Sequence, residues 1–351
     1  MLLDIRNLTI TGPSEHGPVK VIDRVSFNVV EGEVHSLVGE SGSGKSLIAS
    51  AIMGFLDPQW EVRADRIWFA GQDLLAMSQR ARRKIIGVDI AMVFQDPRSY
   101  LDPNDSIQDQ LEEAILTSDL EAKSWWGRRR ERRTKVIQLL HRVGIKDHER
   151  VMASYPHALS DGAAQKIMIA TAIAHQPRLL IADEPTTAME PAMRQQIYRL
   201  LARFHASHNM SILLMTQDVG TIMPESDRLT TLYSGQIMES GPTKALLNEP
   251  FHPYTKALIT TSLYQQSQCE PKTYLPTLPG ASPSMQHLPP GCRLGPRCPN
   301  ARRQCVVTPV MQKFRAHHFA CYYPLNGAAK TQGLTPRDIL QPSTLMGERD
   351  D

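Results

Sequence analysis

The chain reads as an α/β nucleotide-binding fold, and three observations predict it. A glycine- and serine-rich turn, Gly39-Glu40-Ser41-Gly42-Ser43-Gly44-Lys45-Ser46, follows the apolar run Val34 to Val38 and opens a helical pattern from Lys45 to Phe55. A second apolar run, Leu179 to Ala182, ends in two adjacent carboxylates, Asp183 and Glu184. A third, Ile212 to Met215, is separated from the second by a helical pattern from Ala192 to His205. Short apolar runs alternating with helices are what central parallel strands look like in sequence, because such strands are buried on both faces.

The turn fits G-x-x-x-x-G-K-[ST] in full, in the strand–loop–helix setting that gives this motif its meaning. Its glycines let the backbone bend so that N–H groups and a helix N-terminus face phosphate. Lys45 then reaches the β- and γ-phosphates of a nucleoside triphosphate, and Ser46 offers a hydroxyl to Mg²⁺. The acidic strand end completes the set, with Asp183 holding Mg²⁺ through water and Glu184 polarising the attacking water. Adjacent carboxylates standing alone would read as a solvated strand end. The phosphate loop upstream argues for chemistry instead.

The flanking segments sort by period. Leu2 to Ile10 and Val25 to Val29 alternate like strands with one buried face, which predicts an antiparallel sheet beside the core. Between about 97 and 175 the pattern turns helical and charged, with helices expected at Ile107 to Leu116 and Lys135 to Val143. This segment is expected to be a helical subdomain inserted into a domain spanning 1–250. The 351 residues leave room for an appended module, since single cores rarely grow past about 250 to 300 residues. Proline and glycine rise after His252, which marks a second unit at 251–325, and the polar segment 326–351 is expected to be disordered.

Taken in order, these motifs resemble the ABC ATPase family over roughly residues 1 to 250. The resemblance assigns Gln95, in Phe94-Gln95-Asp96-Pro97, to the glutamine loop that contacts Mg²⁺ and whose flanks touch a membrane subunit. It places Leu159-Ser160-Asp161-Gly162-Ala163-Ala164-Gln165 at the signature sequence, so that Ser160 and Gly162 face ATP held by a second ATPase subunit paired head to tail. Gln217 stands where the family has a histidine that contacts the γ-phosphate, Asp161 where it has glycine, and Met189-Glu190 where Leu-Asp is usual. A glutamine donates a hydrogen bond without carrying charge. A carboxylate 4 Å from a phosphate charge would repel it by about 4 kcal/mol at an effective dielectric of 20. These departures predict a slow intrinsic ATPase, and they keep open a regulatory subunit that leaves hydrolysis to its partner. Near the N-terminus, His16 is the candidate for stacking on adenine.

The tail narrows the family. His252-Pro253-Tyr254-Thr255-Lys256-Ala257-Leu258, then Leu278 to Pro283 and Gly291 to Pro299, resemble the C-terminal region of the oligopeptide/dipeptide transporter (Opp/Dpp/Sap) ATP-binding subunits. That resemblance implies a peptide importer at the cytoplasmic face of a bacterial inner membrane. Its partners would be a second ABC ATPase subunit, two transmembrane permease subunits and a periplasmic peptide-binding protein.

Cys292, Cys298, Cys305 and Cys321 are separated by five, six and fifteen residues, unlike the paired C-x-x-C knuckles of zinc ribbons. Clustered thiols in a reducing compartment favour metal over disulfides, and all-thiolate ligation suits iron–sulfur or zinc. The family resemblance favours a [4Fe–4S] cluster, with Zn²⁺ or simply reduced thiols as alternatives; Cys269 lies apart as an ordinary thiol.

Bulk composition sets the remaining bounds. With 39 basic and 36 acidic residues the net charge of +3 demands no nucleic acid. A soluble non-transport ABC ATPase is the minor alternative, because by the family resemblance such proteins usually carry two ATPase halves or a long coiled-coil insertion, and this sequence shows neither. No apolar run approaches the roughly 18 to 20 residues of a spanning helix, and Met1 to Ile10 lacks the pattern of a signal peptide, so membrane attachment is expected to be peripheral. The run Lys123 to Arg133, with Trp125 and Trp126, reads either as an interfacial patch or as a solvated helix face with packed tryptophans.

Overall fold

The computed structural model describes residues 1–15, 17–187, 189–266 and 277–326, with side chains described up to 262 and again from 277. His16, Cys269 and the segment 327–351 lie outside the described residues. In chain order the elements are β1 (Leu3–Gly12), β2 (Val19–Val29), β3 (Val34–Val38), α1 (Lys45–Met53), β4 (Glu61–Arg63), β5 (Arg66–Phe69), β6 (Gln72–Asp73), α2 (Gln79–Arg82) and β7 (Ile90–Val93). Helices α3 (Ile107–Glu113), α4 (Trp125–Arg142), α5 (His148–Met152) and α6 (Asp161–Ala172) follow. The chain continues through β8 (Leu179–Asp183), α7 (Pro191–His208), β9 (Ser211–Thr216), β10 (Arg228–Tyr233), β11 (Gln236–Pro242), α8 (Thr243–Asn248), α9 (Pro253–Gln266), β12 (Gln312–Phe314) and β13 (His317–Phe319).

Two sheets organise these elements. One is an antiparallel flank in the order β2-β1-β5-β6, with β4 also pairing β1. The other runs β12-β13-β11-β10-β3-β9-β8-β7, and its segment from β10 to β7 is parallel. Alternation along the parallel strands shows why they read as continuous apolar runs. Leu180, Ala182, Ile212 and Leu214 face a core shared with α3, α4, α6 and α7, whereas Leu179, Ile181, Leu213 and Met215 face α1 and the antiparallel flank. Both faces are buried, as a parallel sheet requires.

Element boundaries moved for local reasons. Helix α1 ends at Met53 rather than Phe55 because Gly54 caps it with φ 75°. The expected helix at Lys135 is the second half of an eighteen-residue α4, which starts after Ser124, whose hydroxyl accepts from the Gly127 amide. Its first half carries no apolar stripe, and only Val136, Leu139 and Leu140 are buried, so periodicity saw only the end. Helix α3 stops at Glu113, short of Leu116, which is 39% exposed. Trp125 and Trp126 touch edge to face, yet both are exposed, so the packed-tryptophan reading of this run does not hold.

The sheet also extends past the parallel core. Strand β13 pairs with β11, bringing Phe319 opposite Glu239. Glu239 is fully buried and accepts from the amides of Phe251 (2.9 Å) and His252 (3.0 Å) and from His317 Nδ1 (3.1 Å). One carboxylate thus holds the turn before α9 and the last hairpin together.

A buried histidine gives the fold a pH dependence. His35 on β3 lies 3.0 Å from the Asn28 carbonyl and 2.8 Å from the Thr230 hydroxyl, and burial, aided by Arg228, lowers its pKa from 6.5 to about 4. The unfolded chain therefore binds a proton as pH falls below 6.5, while the folded chain does not until about 4. Stability is lost across that window, at about 1.4 kcal/mol per pH unit from this group. Urea unfolding between pH 6.5 and 4.5 is expected to show this slope, and His35→Gln, which keeps hydrogen-bonding capacity without titrating there, is expected to reduce it.

Candidate nucleotide site

The phosphate-loop residues gather where β3, β8 and β9 end, at the carboxyl edge of the parallel strands. Backbone geometry explains the glycines. A Cβ on Gly39 would sit 2.1 Å from the Leu232 carbonyl oxygen, and Gly44 has φ 105°. The Lys45 ammonium, 4% exposed, donates to the carbonyls of Gly39 (2.7 Å) and Glu40 (3.2 Å), folding the loop over itself. It also lies 3.5 Å from Glu184 Oε1. Burial pushes the lysine pKa down while Glu184 and Asp183 oppose it.

Glu184 is the first residue past β8 and adopts φ 47°, a conformation that costs a non-glycine residue of order 1 kcal/mol or more. It is fixed there because its amide donates to the Met215 carbonyl at 2.8 Å, its Oε2 accepts from Thr187 Oγ1 at 2.9 Å, and both oxygens accept from Gln217 Nε2 at 2.7 and 2.6 Å. Gln217 follows the last residue of β9, so the two strands deliver the pair. Beside it, Asp183 is buried with its Oδ1 lacking any hydrogen-bond partner among the described residues, while Ser46 hydrogen-bonds its carboxylate. Burial raises the Asp183 pKa. An orphaned carboxylate oxygen beside a loop hydroxyl is the donor set that Mg²⁺ takes.

The other sequence-predicted positions fall differently. Ser41 and Gly42 are exposed, and Ser43 is buried with its hydroxyl unpaired among the described residues. Gln95 is exposed in the loop after β7. Ser160 caps α6, its hydroxyl accepting from the Ala163 amide, and Gly162 packs against Met193. Asp161 is 77% exposed and pairs with Arg98 at 2.9 Å, an exposed ion pair of the kind worth about 0 to 1 kcal/mol.

An apolar groove of about 370 Å³ opens beside the glutamine loop, lined by Met53, Phe55, Ile86, Met92, Phe94 and Tyr100 among others. Phe55 and Tyr100 are exposed there.

The four cysteines come together only in part. Cys292, Cys298, Cys305 and Cys321 line one small cavity with His252, Tyr322 and Tyr323, and burial raises three of the thiols, Cys321 to about 12. Among the described residues, however, no group of three or more His, Cys, Asp or Glu closes into a metal-holding set. The four expected ligands thus share one cavity without forming a metal-holding group in this structure. Desolvation favours neutral thiols, which do not draw together as metal-bound thiolates do. The donors suit a soft metal in kind and number; their spacing in this structure does not.

Sequence reasoning missed Thr187 and the tail residues that reach the phosphate loop, Tyr254, Ser282 and Arg297. Tyr254 was visible only as part of a family string, and nothing in residue spacing pairs position 40 with 297.

Comparison with known proteins agrees with this geometry. A family model described as "ABC transporter" matches residues 22–187, and one described as "Oligopeptide/dipeptide transporter, C-terminal region" matches 238–305. The peptide transport system ATP-binding protein SapD of Salmonella typhimurium (strain LT2) is 50% identical over 93% of this chain and 98% of its own. The dipeptide transport ATP-binding protein DppD of Escherichia coli (strain K12) is 39% identical over 94% and 98%. Among solved structures, a dimeric ATP-binding cassette in a post-hydrolysis state bound to ADP and Pi superposes with a TM-score of 0.61 at 24% identity, covering 69% of this chain and 99% of its own. The chain belongs to the ABC transporter ATP-binding subunits of the oligopeptide/dipeptide (Opp/Dpp/Sap) family.

Proposed function

We propose that this chain binds and hydrolyses ATP to energise peptide import through an inner-membrane ABC transporter. The observation that carries the reading is the convergence of Lys45, Asp183, Glu184 and Gln217 at the ends of three adjacent strands. In this reading the amides of residues 42 to 46 and the Lys45 ammonium hold the β- and γ-phosphates. Ser46, Asp183 and Gln95 hold Mg²⁺, which supplies charge neutralisation on the phosphate oxygens. Glu184 orients the attacking water and accepts its proton. Ser160 and Gly162 face the nucleotide of a second ABC ATPase subunit, which makes the working unit a heterodimer.

Slow turnover belongs to the proposal. Both oxygens of Glu184 are engaged by the Gln217 amide, which must swing away before the carboxylate can take a water proton. No imidazole is available at that position to share the γ-phosphate charge. Gln217→His is expected to raise kcat about tenfold, the size of one improved charge-assisted contact.

The apolar groove beside Gln95 suits a short helix from a transmembrane permease subunit, since apolar helix faces dock in such grooves. No described helix is long and apolar enough to cross a membrane, so the chain would sit peripherally on the cytoplasmic face, with two permease subunits and a periplasmic peptide-binding protein completing the complex. Residues 1–250, with the helical insert 97–175, would form the ATPase domain and 251–325 the second unit. At the four cysteines the proposal is a [4Fe–4S] cluster in preference to Zn²⁺, on the family resemblance and on four thiols lining one cavity, which binding would have to draw together from their spacing here. Iron and acid-labile sulfide in an anaerobic preparation support it; stoichiometric zinc, or neither metal, rejects it.

The functional test is ATP hydrolysis by the complex in proteoliposomes. Stimulation by peptide presented with the binding protein supports the reading. A rate that responds to nucleic acid and not to peptide would favour a non-transport ATPase.

A further inference from the structure

The C-terminal region grips the phosphate loop, and the grip is built on one residue. Glu40, second in the loop, is held by every polar group it owns. Its carbonyl accepts from Lys45, and its amide donates to the Tyr254 hydroxyl at 2.9 Å. Its carboxylate lies 2.8 Å from Arg297 Nη1 and also accepts from the Ser282 hydroxyl. Arg297 is fixed in turn: Nη1 lies 3.1 Å from both the Tyr233 and Ser282 hydroxyls, and Nε donates to the Pro279 carbonyl at 3.0 Å. Its side chain is only 11% exposed, against 31% for Glu40, so the ion pair is shielded on the arginine side and partly open to solvent on the other. A second arginine of the same segment, Arg293, donates to the Ser234 carbonyl, and the neighbouring Gly235 amide donates to the Ser43 carbonyl at 2.8 Å. Residues 254, 282, 293 and 297 all lie outside the matched cassette segment 22–187.

We propose that Arg297 is a positioning residue for ATP: through Glu40 it sets the loop in its phosphate-binding conformation before nucleotide arrives. A glycine-rich loop left free pays an ordering cost on binding, and a brace that orders it beforehand removes part of that cost. Because the loop amides are needed equally for ATP in the ground and transition states, the effect falls on affinity and leaves kcat alone. Coupling is also reciprocal: a nucleotide that favours the ordered loop must favour the docked tail.

The experiment measures ATP hydrolysis by the full complex with Arg297→Ala, Arg297→Lys and Glu40→Gln, together with hydrogen exchange in segment 278–298 with and without ATP. The expected result is a roughly tenfold rise in KM for Arg297→Ala with kcat within about twofold, partial recovery in Arg297→Lys, and a Glu40→Gln/Arg297→Ala double variant no worse than the worse single. ATP should slow exchange in 278–298 in the wild type and lose that effect in Arg297→Ala. If Arg297→Ala lowers the melting temperature, Glu40→Gln carries the test, because it removes the same ion pair and leaves the tail sequence intact. KM within twofold of wild type, or additive losses in the double variant, would overturn the proposal. The inference rests on the ATP-site reading, and Lys45→Ala separates the two: retained ATP binding there defeats the site, whereas lost binding there with an unchanged Arg297→Ala KM defeats only the positioning role.

Discussion

Lys45→Ala is expected to reduce ATP affinity by at least about 100-fold, a loss of roughly 2.7 kcal/mol, because in the proposed site it removes the charge-assisted contact to the phosphates. The same change alters the empty protein. Lys45 is buried against Glu184 at 3.5 Å and bonds the carbonyls of Gly39 and Glu40, so its loss leaves Glu184 and Asp183 side by side without their countercharge. Breaking a buried pair by removing one partner typically costs about 3 to 5 kcal/mol. Titration of a fluorescent nucleotide reads the first effect and denaturant unfolding the second. Affinity within tenfold of wild type would place the nucleotide elsewhere.

Glu239→Ala is expected to destabilise the protein by about 3 to 5 kcal/mol, comparable to breaking a buried charged network. Three donors converge on this carboxylate: the Phe251 and His252 amides and His317 Nδ1. All three would be left unpaired in a dry environment, and each unsatisfied group costs about 1 to 3 kcal/mol. Glu239→Gln keeps an acceptor and is expected to lose less. Urea unfolding of both variants gives the order, and equal losses would show that the acceptor is not what matters.

The parallel core was legible because it is buried on both faces. Leu179 to Ala182 and Ile212 to Met215 are apolar at every position, and Val34 to Val38 is apolar but for His35 and Ser36; runs of that length bounded by a glycine loop or an acid have few other uses. The phosphate loop and the acidic pair were legible for a related reason, since backbone curvature and metal chemistry dictate particular residue types at fixed spacing. Helix α4 was only half visible, because its arginine-rich first two turns face solvent and carry no period. Long-range side-chain meetings were not visible at all. Nothing in the string joins Gln217 to Glu184 by hydrogen bonds, Arg98 to Asp161, or Arg297 to Glu40, because these contacts depend on how strand ends and loops are brought together in three dimensions. Asp161 shows the consequence. Read alone it is an uncompensated carboxylate in the signature position, whereas in the structure it is paired with Arg98.

The central claim is that this chain's own site hydrolyses ATP with Glu184 as its base, slowed by Gln217. The most direct measurement is single-turnover hydrolysis in the reconstituted complex with the partner ATPase disabled at its own catalytic carboxylate. The account predicts a slow residual rate that Glu184→Gln removes, by about 100-fold or more, and that Gln217→His increases. No residual rate above background, or one that neither substitution changes, would contradict it and make the chain a regulatory nucleotide-binding subunit.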